Sequence, residues 1–208
     1  MYKPIPIKRS DRYGSSFWDG YSYKLQRNVH FFGDLKYDHW ILVETDPNIL
    51  KYCERPNSEK LQQNNLHKAF DMWQLERNGK ETFLNIRYKN QSDTNHERLE
   101  KWCTKLGYDY KVLYEEDIRG QALYLKNMKW LLPYIGQRKP PIETDKRHIL
   151  RALGDQNKTI GELQSICSTI PISRIRENIY FLIYSGELIA TNIKEVELGI
   201  ATEVKRIG

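Results

Sequence analysis

Residues 70–89 read FDMWQLERNGKETFLNIRYK, and this segment constrains the fold more than any other part of the chain. Apolar and polar residues alternate on both sides of the pair Asn78-Gly79. Such a pair is typical of tight turns between antiparallel strands, because both residues accept left-handed backbone angles. The segment therefore predicts a β-hairpin.

Three polar side chains of this hairpin form a pattern with a chemical meaning. Asp71 begins the first strand, and Asn85 and Arg87 lie two residues apart on the second, so both should point to one face. An Asp followed by Glu/Gln-x-Lys on the next strand is the layout of a restriction-endonuclease core, in which carboxylates hold a divalent ion and the lysine steadies the attacking water. Here Asn85 replaces the second ligand and Arg87 replaces the lysine. The pattern predicts a nuclease fold whose site is altered or lost.

The composition favours an anionic partner. Charged residues make up 29% of the 208 residues, and the formal net charge is +6. Such a basic chain is expected to bind nucleic acid when its fold also supports that function. The alternative is that its lysines are simply solvated.

Cysteine usage and hydropathy exclude several classes of protein. Cys53, Cys103 and Cys167 are far apart and odd in number, so neither a zinc site nor a disulfide framework is expected. The N-terminal sequence lacks the apolar core of a signal peptide, and no apolar run is long enough to cross a membrane. We expect a cytoplasmic protein of a bacterial or phage-infected cell, with no membrane partner.

A Pro-Pro pair divides the chain, because two consecutive prolines fit neither a helix nor a central strand. It predicts a linker at 138–143 between a domain at 29–137 and a smaller domain at 144–208. Residues 1–28 are basic and rich in Tyr, and they show no clear period. They are either an arm that becomes ordered on a partner or a loosely packed terminus.

The first domain is predicted to be an α/β structure, with a mixed sheet flanked by helices. Its other elements are predicted as a helix at 34–43, a short helix at 47–54, a weak strand at 58–62, a helix at 96–107, a strand leading into a helix at 108–118, and a helix at 122–135.

The second domain has the pattern of a small winged helix. A first helix ends at Gly154, a capping box of Thr159 and Glu162 begins the second, and Gly186 ends the third. Two apolar segments that follow can pair as the wing. The third helix either enters a DNA groove or docks a protein, and Arg174, Glu177 and Phe181 are expected on its exposed face.

Four segments in this order resemble the TnsA family, the endonuclease subunits of heteromeric cut-and-paste transposases. They are VHFFGDLKYDHWILVETDPNILKYCERP, LHKAFDMWQL, FLNIRYK and GYDYKVLYEEDIRGQALYLKNMKWLLPY, the last being the closest match. The resemblance covers nearly the whole chain. It implies a restriction-endonuclease-like domain followed by a winged helix, acting with a DDE transposase and a regulator ATPase.

The family's catalytic positions fall on Lys36, Asp71, Asn85 and Arg87, of which only Asp71 is a carboxylate. A magnesium site needs oxygen ligands and tolerates little added positive charge. We therefore predict an ion pair between Asp71 and Lys36 or Arg87, with no cofactor bound. If cleavage is retained, Asp71 is the expected magnesium ligand.

The resemblance implies a DNA transposition protein that keeps DNA binding and transposase assembly and has lost or weakened the cutting. Salt-sensitive binding of double-stranded DNA is expected through Arg27, Lys36, Arg87, Arg174 and Arg176. Two alternatives remain. One is an active magnesium-dependent endonuclease that cuts the 5′ ends of the transposon. The other is a phage or mobile-element factor that binds DNA or protein with the same fold.

Overall fold

The computed structural model of the chain describes residues 2–7, 14, 16–89, 95–136 and 142–207. Its structure is mixed α/β and divides into two compact units. The first comprises Met1–Glu44 and Asn48–Gly120, and the second comprises Thr45–Pro47 and Gln121–Gly208. Within the residues so described, no helix is both long and apolar enough to cross a bilayer.

The strands of the first unit are β1 (Lys3–Pro4), β2 (Phe17–Ser22), β3 (Arg27–Phe32), β4 (Ile49–Glu54), β5 (Pro56–Asn57), β6 (Met72–Glu76), β7 (Glu81–Arg87) and β8 (Asp109–Tyr114). The main sheet has the order β4-β6-β7-β8, whereas β1 pairs with β5 and β2 pairs with β3. In the main sheet only β7 and β8 run parallel, so the predicted mixed sheet is confirmed.

The helices of this unit are α1 (Asp34–Thr45), α2 (Glu59–Gln63), α3 (His96–Lys105) and α4 (Glu115–Arg119). Helix α1 packs on the main sheet, with its Leu35 in the same buried cluster as Ile86 of β7. Helix α3 packs through Leu99 and Cys103 around Phe83. Because Phe83 and Ile86 differ in parity along β7, the two helices cover opposite faces.

The predicted hairpin is confirmed as β6 and β7, with Trp73 opposite Phe83. Gly79 has a positive φ of 84°, and its amide donates to the carbonyl of Glu76 at 3.0 Å. A left-handed backbone costs glycine little, so this residue sets the turn. The turn in turn sets the register that places Asp71 opposite the end of β7.

Two predicted elements are wrong. The helix predicted at 47–54 is strand β4, whose residues pair with β6 along the edge of the main sheet. The strand predicted at 58–62 is helix α2. Ser58 caps it by accepting a hydrogen bond from the amide of Leu61 at 3.3 Å, and Leu61 is fully buried. Burial of the apolar side of each segment overrides its local pattern.

The described part of the predicted basic arm at 1–28 belongs to the packed unit, because it contains β1 and β2. The buried carboxylate of Glu44 holds the β2–β3 turn against α1. It accepts hydrogen bonds from the hydroxyls of Ser22 at 2.8 Å and Tyr52 at 2.7 Å, and from the amide of Tyr23 at 2.9 Å. Residues 8–13 lie outside the described residues.

The second unit contains α5 (Ala122–Gly136), α6 (Glu143–Leu153), α7 (Ile160–Ile166) and α8 (Ile172–Ser185), together with strands β9 (Lys158–Thr159), β10 (Leu188–Ala190) and β11 (Glu203–Arg206). The predicted capping box is confirmed, since the amide of Glu162 donates to the Thr159 hydroxyl at 3.1 Å and the Glu162 carboxylate accepts from the Thr159 amide at 2.6 Å. The predicted strand pair is confirmed as β10 and β11, which run antiparallel.

Helix α5 groups with the second unit, whereas the predicted boundary lay after it, at 138–143. Its buried Asn127 donates to the carbonyls of Ile193 at 2.7 Å and Val196 at 2.8 Å, and accepts from the amide of Leu198 at 2.9 Å. These bonds and its packing on α8 draw α5 into this unit. Residues 138–141 of the predicted linker lie outside the described residues.

Helix α8 is the central helix of the second unit, because α5, α6, α7 and β10 all pack against it. Arg174, Glu177 and Phe181 are half-buried, which corrects the expectation that they share an exposed face.

Candidate functional site

The carboxylate of Asp71 is the centre of the candidate site. Its Oδ1 lies 2.5 Å from Lys36 Nζ on α1, and its Oδ2 lies 2.7 Å from Arg87 Nη1 at the end of β7. The predicted ion pair is therefore present with both cations at once. The side chain of Asp71 is 14% exposed, against 37% for Lys36 and 23% for Arg87, so the cluster is largely withdrawn from water.

Backbone groups complete the environment of Asp71. The amide of Ile86 donates to its Oδ2 at 2.8 Å, and its own amide donates to the carbonyl of Leu84 at 2.9 Å. Its carbonyl accepts from the amide of Arg55 at 2.8 Å. The residue is thus fixed by α1, by β7 and by Arg55, which directly follows β4, and its carboxylate has little freedom to turn toward another ligand.

Asn85 lies beside this cluster as the sequence predicted, but both ends of its side chain are hydrogen-bonded to other groups of the protein. Its Oδ1 accepts from the Asp71 amide at 3.3 Å, and its Nδ2 donates to the hydroxyl of Tyr110 at 3.0 Å. The side chain is almost fully buried. A neutral amide suits such a place, because a carboxylate there would need a further cation or a proton.

His39 lies three residues after Lys36 on α1 and was not singled out from the sequence. Its ring is buried, and Nδ1 has no hydrogen-bond partner among the described residues. Burial lowers the pKa of His39 to about 4, and the negative charge of Asp71 opposes this shift only in part. The imidazole is therefore neutral at physiological pH. Its spacing from Lys36 could have identified it, because residues three apart on a helix share one face and Lys36 was already a candidate site residue.

The acidic residues that flank Lys36 on α1 are engaged elsewhere. Asp34 accepts a hydrogen bond from Trp18 Nε1 at 2.8 Å. Asp38 pairs with Arg119, Nε to Oδ2, at 2.6 Å. Residues two apart on a helix point in different directions, so neither carboxylate takes the place of a ligand at Lys36.

The residues present do not fit a magnesium ion. Both oxygens of Asp71 are held by cations, and Asn85 supplies no charge. Within the described residues, no three His, Cys, Asp or Glu side chains are grouped so that they could hold a metal ion. A divalent cation would have to displace Lys36 or Arg87 and then face its positive charge.

Two of the other predicted nucleic-acid contacts, Arg27 and Arg174, are also paired with carboxylates of the protein. Arg27 makes a bidentate pair with the buried carboxylate of Glu54, at 2.7 and 2.6 Å. Arg174 donates from Nε to Asp145 at 2.8 Å. Arg176 is half-buried, and its Nε is buried without a hydrogen-bond partner among the described residues. Arg27 and Arg174 therefore have less of their charge available to phosphate than a free arginine has.

A comparison with models of known protein families finds none that matches this chain. No curated protein matches it either.

Replacing Asp71 by Asn should lower the free energy of unfolding by roughly 2 kcal/mol, because it leaves two partly buried cations without a counter-charge. Glu116→Gln is the matched control, since it breaks the exposed Lys89–Glu116 pair and should cost well under about 1 kcal/mol. Urea denaturation at neutral pH measures both. Equal costs for the two variants would show that the Asp71 cluster contributes no more than a surface pair.

Stability should also fall as the pH drops from about 6.5 toward 4. The folded pKa of His39, about 4, lies below its ordinary value of 6.5, so between these values the unfolded chain binds the extra proton. The loss attributable to His39 should approach roughly 3 kcal/mol. The measurement is urea denaturation across this pH range in the wild type, in His39→Gln and in the exposed-residue control His148→Gln. Only His39→Gln should weaken the dependence of the free energy of unfolding on pH. An unchanged pH dependence in this variant would contradict the attribution to His39.

Proposed function

We propose that this chain is a TnsA-like DNA transposition protein that no longer cuts DNA and acts in DNA binding and transposase assembly. Its first unit supports a restriction-endonuclease-like fold, since a mixed sheet carries the predicted hairpin between helices. Its second unit supports a winged-helix module, since α6, α7 and α8 precede the antiparallel strand pair of β10 and β11.

The observation that carries the proposal is the double ion pair of Asp71. Lys36 and Arg87 pair with this carboxylate, and Asn85 accepts a hydrogen bond from the Asp71 backbone amide; all three lie at positions where the proposed family has its catalytic side chains. Two cations therefore hold the one carboxylate at the place where the proposed family would have its metal ligands, which supports a site that no longer binds a divalent ion. Such a cluster holds the hairpin to α1 and supplies no activated water.

Double-stranded DNA is the proposed partner, together with a DDE transposase and a regulator ATPase. The net charge of +6 favours an electrostatic contact with phosphates. In the second unit, Arg147 and Arg151 are exposed one turn apart on α6 and line a shallow groove with His148. They offer phosphate contacts that Arg174, paired with Asp145, offers less readily. Contacts of this kind give little preference for sequence.

The pure protein should not nick supercoiled plasmid with magnesium or manganese, and calorimetric titration with either ion should give no saturable heat. The informative variant combines Lys36→Glu, Asn85→Glu and Arg87→Lys, which rebuilds a carboxylate cluster beside Asp71. Metal-dependent nicking by this variant would support descent from a nuclease. Nicking by the wild type that disappears in Asp71→Asn would overturn the proposal.

Duplex DNA should bind at low salt, and its affinity should fall steeply as salt rises. Replacing both Arg147 and Arg151 by Ala should reduce the slope of log affinity against log salt by about 2, because two phosphate contacts are lost. The double variant Lys101→Ala and Lys105→Ala on α3 removes the same charge and should leave the slope nearly unchanged. Fluorescence anisotropy with two unrelated duplexes measures both the slope and the sequence preference. Absence of duplex binding in the micromolar range would leave protein docking as the role of this unit.

A further inference from the structure

A basic groove of about 840 Å³ lies on the first unit beside the β4 edge of the main sheet. It shares no residue with the Asp71 cluster or with α6. Its lining includes five cationic side chains from separate elements, namely Lys3, Lys24, Arg27, Lys51 and Lys60. Cations spread along a groove suit an extended chain of negative charges better than they suit one compact anion.

The charge of this groove is not cancelled from within. Its one acidic lining residue is Glu81, whose carboxylate accepts a hydrogen bond from Trp73 Nε1 at 2.8 Å. Arg27 is neutralised by Glu54. By contrast, Lys3, Lys51 and Lys60 are exposed. Lysines on an exposed rim keep their charge and can follow a flexible ligand, because each ammonium ends a long, mobile stem.

The floor of the groove is aromatic and apolar. Tyr2 and Trp73 lie with ring centroids 4.8 Å apart, and Lys60 Nζ lies 5.5 Å from the centre of the Tyr108 ring. Tyr2, Leu75 and Tyr108 are half-buried and so keep part of their surface open. Burial and a hydrogen bond with Tyr108 raise the pKa of Tyr2, so the phenol stays neutral and adds no negative charge.

We propose that this groove binds single-stranded nucleic acid, with phosphates at the lysines and bases against the aromatic floor. A row of cations beside ring faces matches a strand whose bases are unstacked, because each base has a face to stack and each linkage has a charge to neutralise. A duplex keeps its bases stacked inside and offers phosphates alone, so the floor would add nothing to its binding. An acidic peptide would match the lysines but not the rings.

The first test uses the full chain and a fluorescein-labelled oligothymidylate of about twelve nucleotides, long enough to cover one such site. Fluorescence anisotropy at low salt should show tighter binding of this strand than of a duplex of equal length. Replacing both Lys51 and Lys60 by Ala should weaken strand binding at least tenfold and reduce the salt slope by about 1.4, since single strands lose about 0.7 per contact. The control Lys101→Ala with Lys105→Ala should stay within about twofold of the wild type.

The second test concerns the aromatic floor. Tyr108→Leu keeps an apolar side chain but removes the ring, so strand binding should weaken about fivefold or more while duplex binding stays unchanged. Tyr108→Phe keeps the ring and should retain the affinity. Thermal unfolding of each variant confirms that it folds, and the lysine variants carry the test if Tyr108→Leu does not.

Two results would overturn the proposal. One is equal affinity for strand and duplex combined with no effect of Tyr108→Leu, which would mean binding by charge alone. The other is competition by polyglutamate as effective as competition by unlabelled oligothymidylate, which would indicate an acidic peptide as the occupant. The α6 variant of Arg147 and Arg151 should leave strand binding unchanged. A failure of the duplex prediction therefore remains distinguishable from a failure of this one.

Discussion

The carboxylate of Asp71 is the interaction on which the centre of the first unit depends. It joins α1 through Lys36 and the end of β7 through Arg87 and the amide of Ile86. Its own backbone bonds to Arg55, which directly follows β4, and to Leu84 of β7. Each cation is only partly exposed, so each needs a counter-charge near it. One carboxylate meets both needs, which accounts for its place between α1 and the end of β7.

The pairing of a partly exposed cation with a buried carboxylate also occurs elsewhere in the described residues. The net charge of the chain therefore overstates the positive charge that a partner can contact. Arg27, Arg119 and Arg174 are each about one-third to two-fifths exposed, and each meets a carboxylate that is 9% exposed or less. An arginine held in this way stiffens the fold and has less attraction left for phosphate. The positive charge available to a partner therefore resides mainly in exposed side chains such as Lys3, Lys51 and Arg147.

The sequence correctly predicted the elements that are determined by residues close together in the chain. The Asn78-Gly79 turn, helix α1 and the Thr159–Glu162 capping box follow from neighbouring residues alone. The segment that forms strand β4 was predicted as a helix, and the segment that forms helix α2 was predicted as a strand. Their secondary structure depends on pairing with β6 and on burial of Leu61, and a few neighbouring residues of sequence do not reveal either. The resemblance placed Lys36 and Arg87 beside Asp71. It did not reveal the basic groove, because that groove collects residues from the N-terminus to Tyr108.

No single substitution would convert the arrangement around Asp71 into a metal site. Lys36→Glu alone would place two carboxylates beside Arg87. One negative charge would then lack a cationic partner in a partly buried site. Asn85→Glu alone would add a buried charge next to Tyr110, where burial of a lone carboxylate is strongly unfavourable. Only coordinated changes supply both the charge balance and the ligands of a divalent ion. A single substitution toward a metal ligand is therefore expected to destabilise the first unit, because it removes the balance of charge around Asp71.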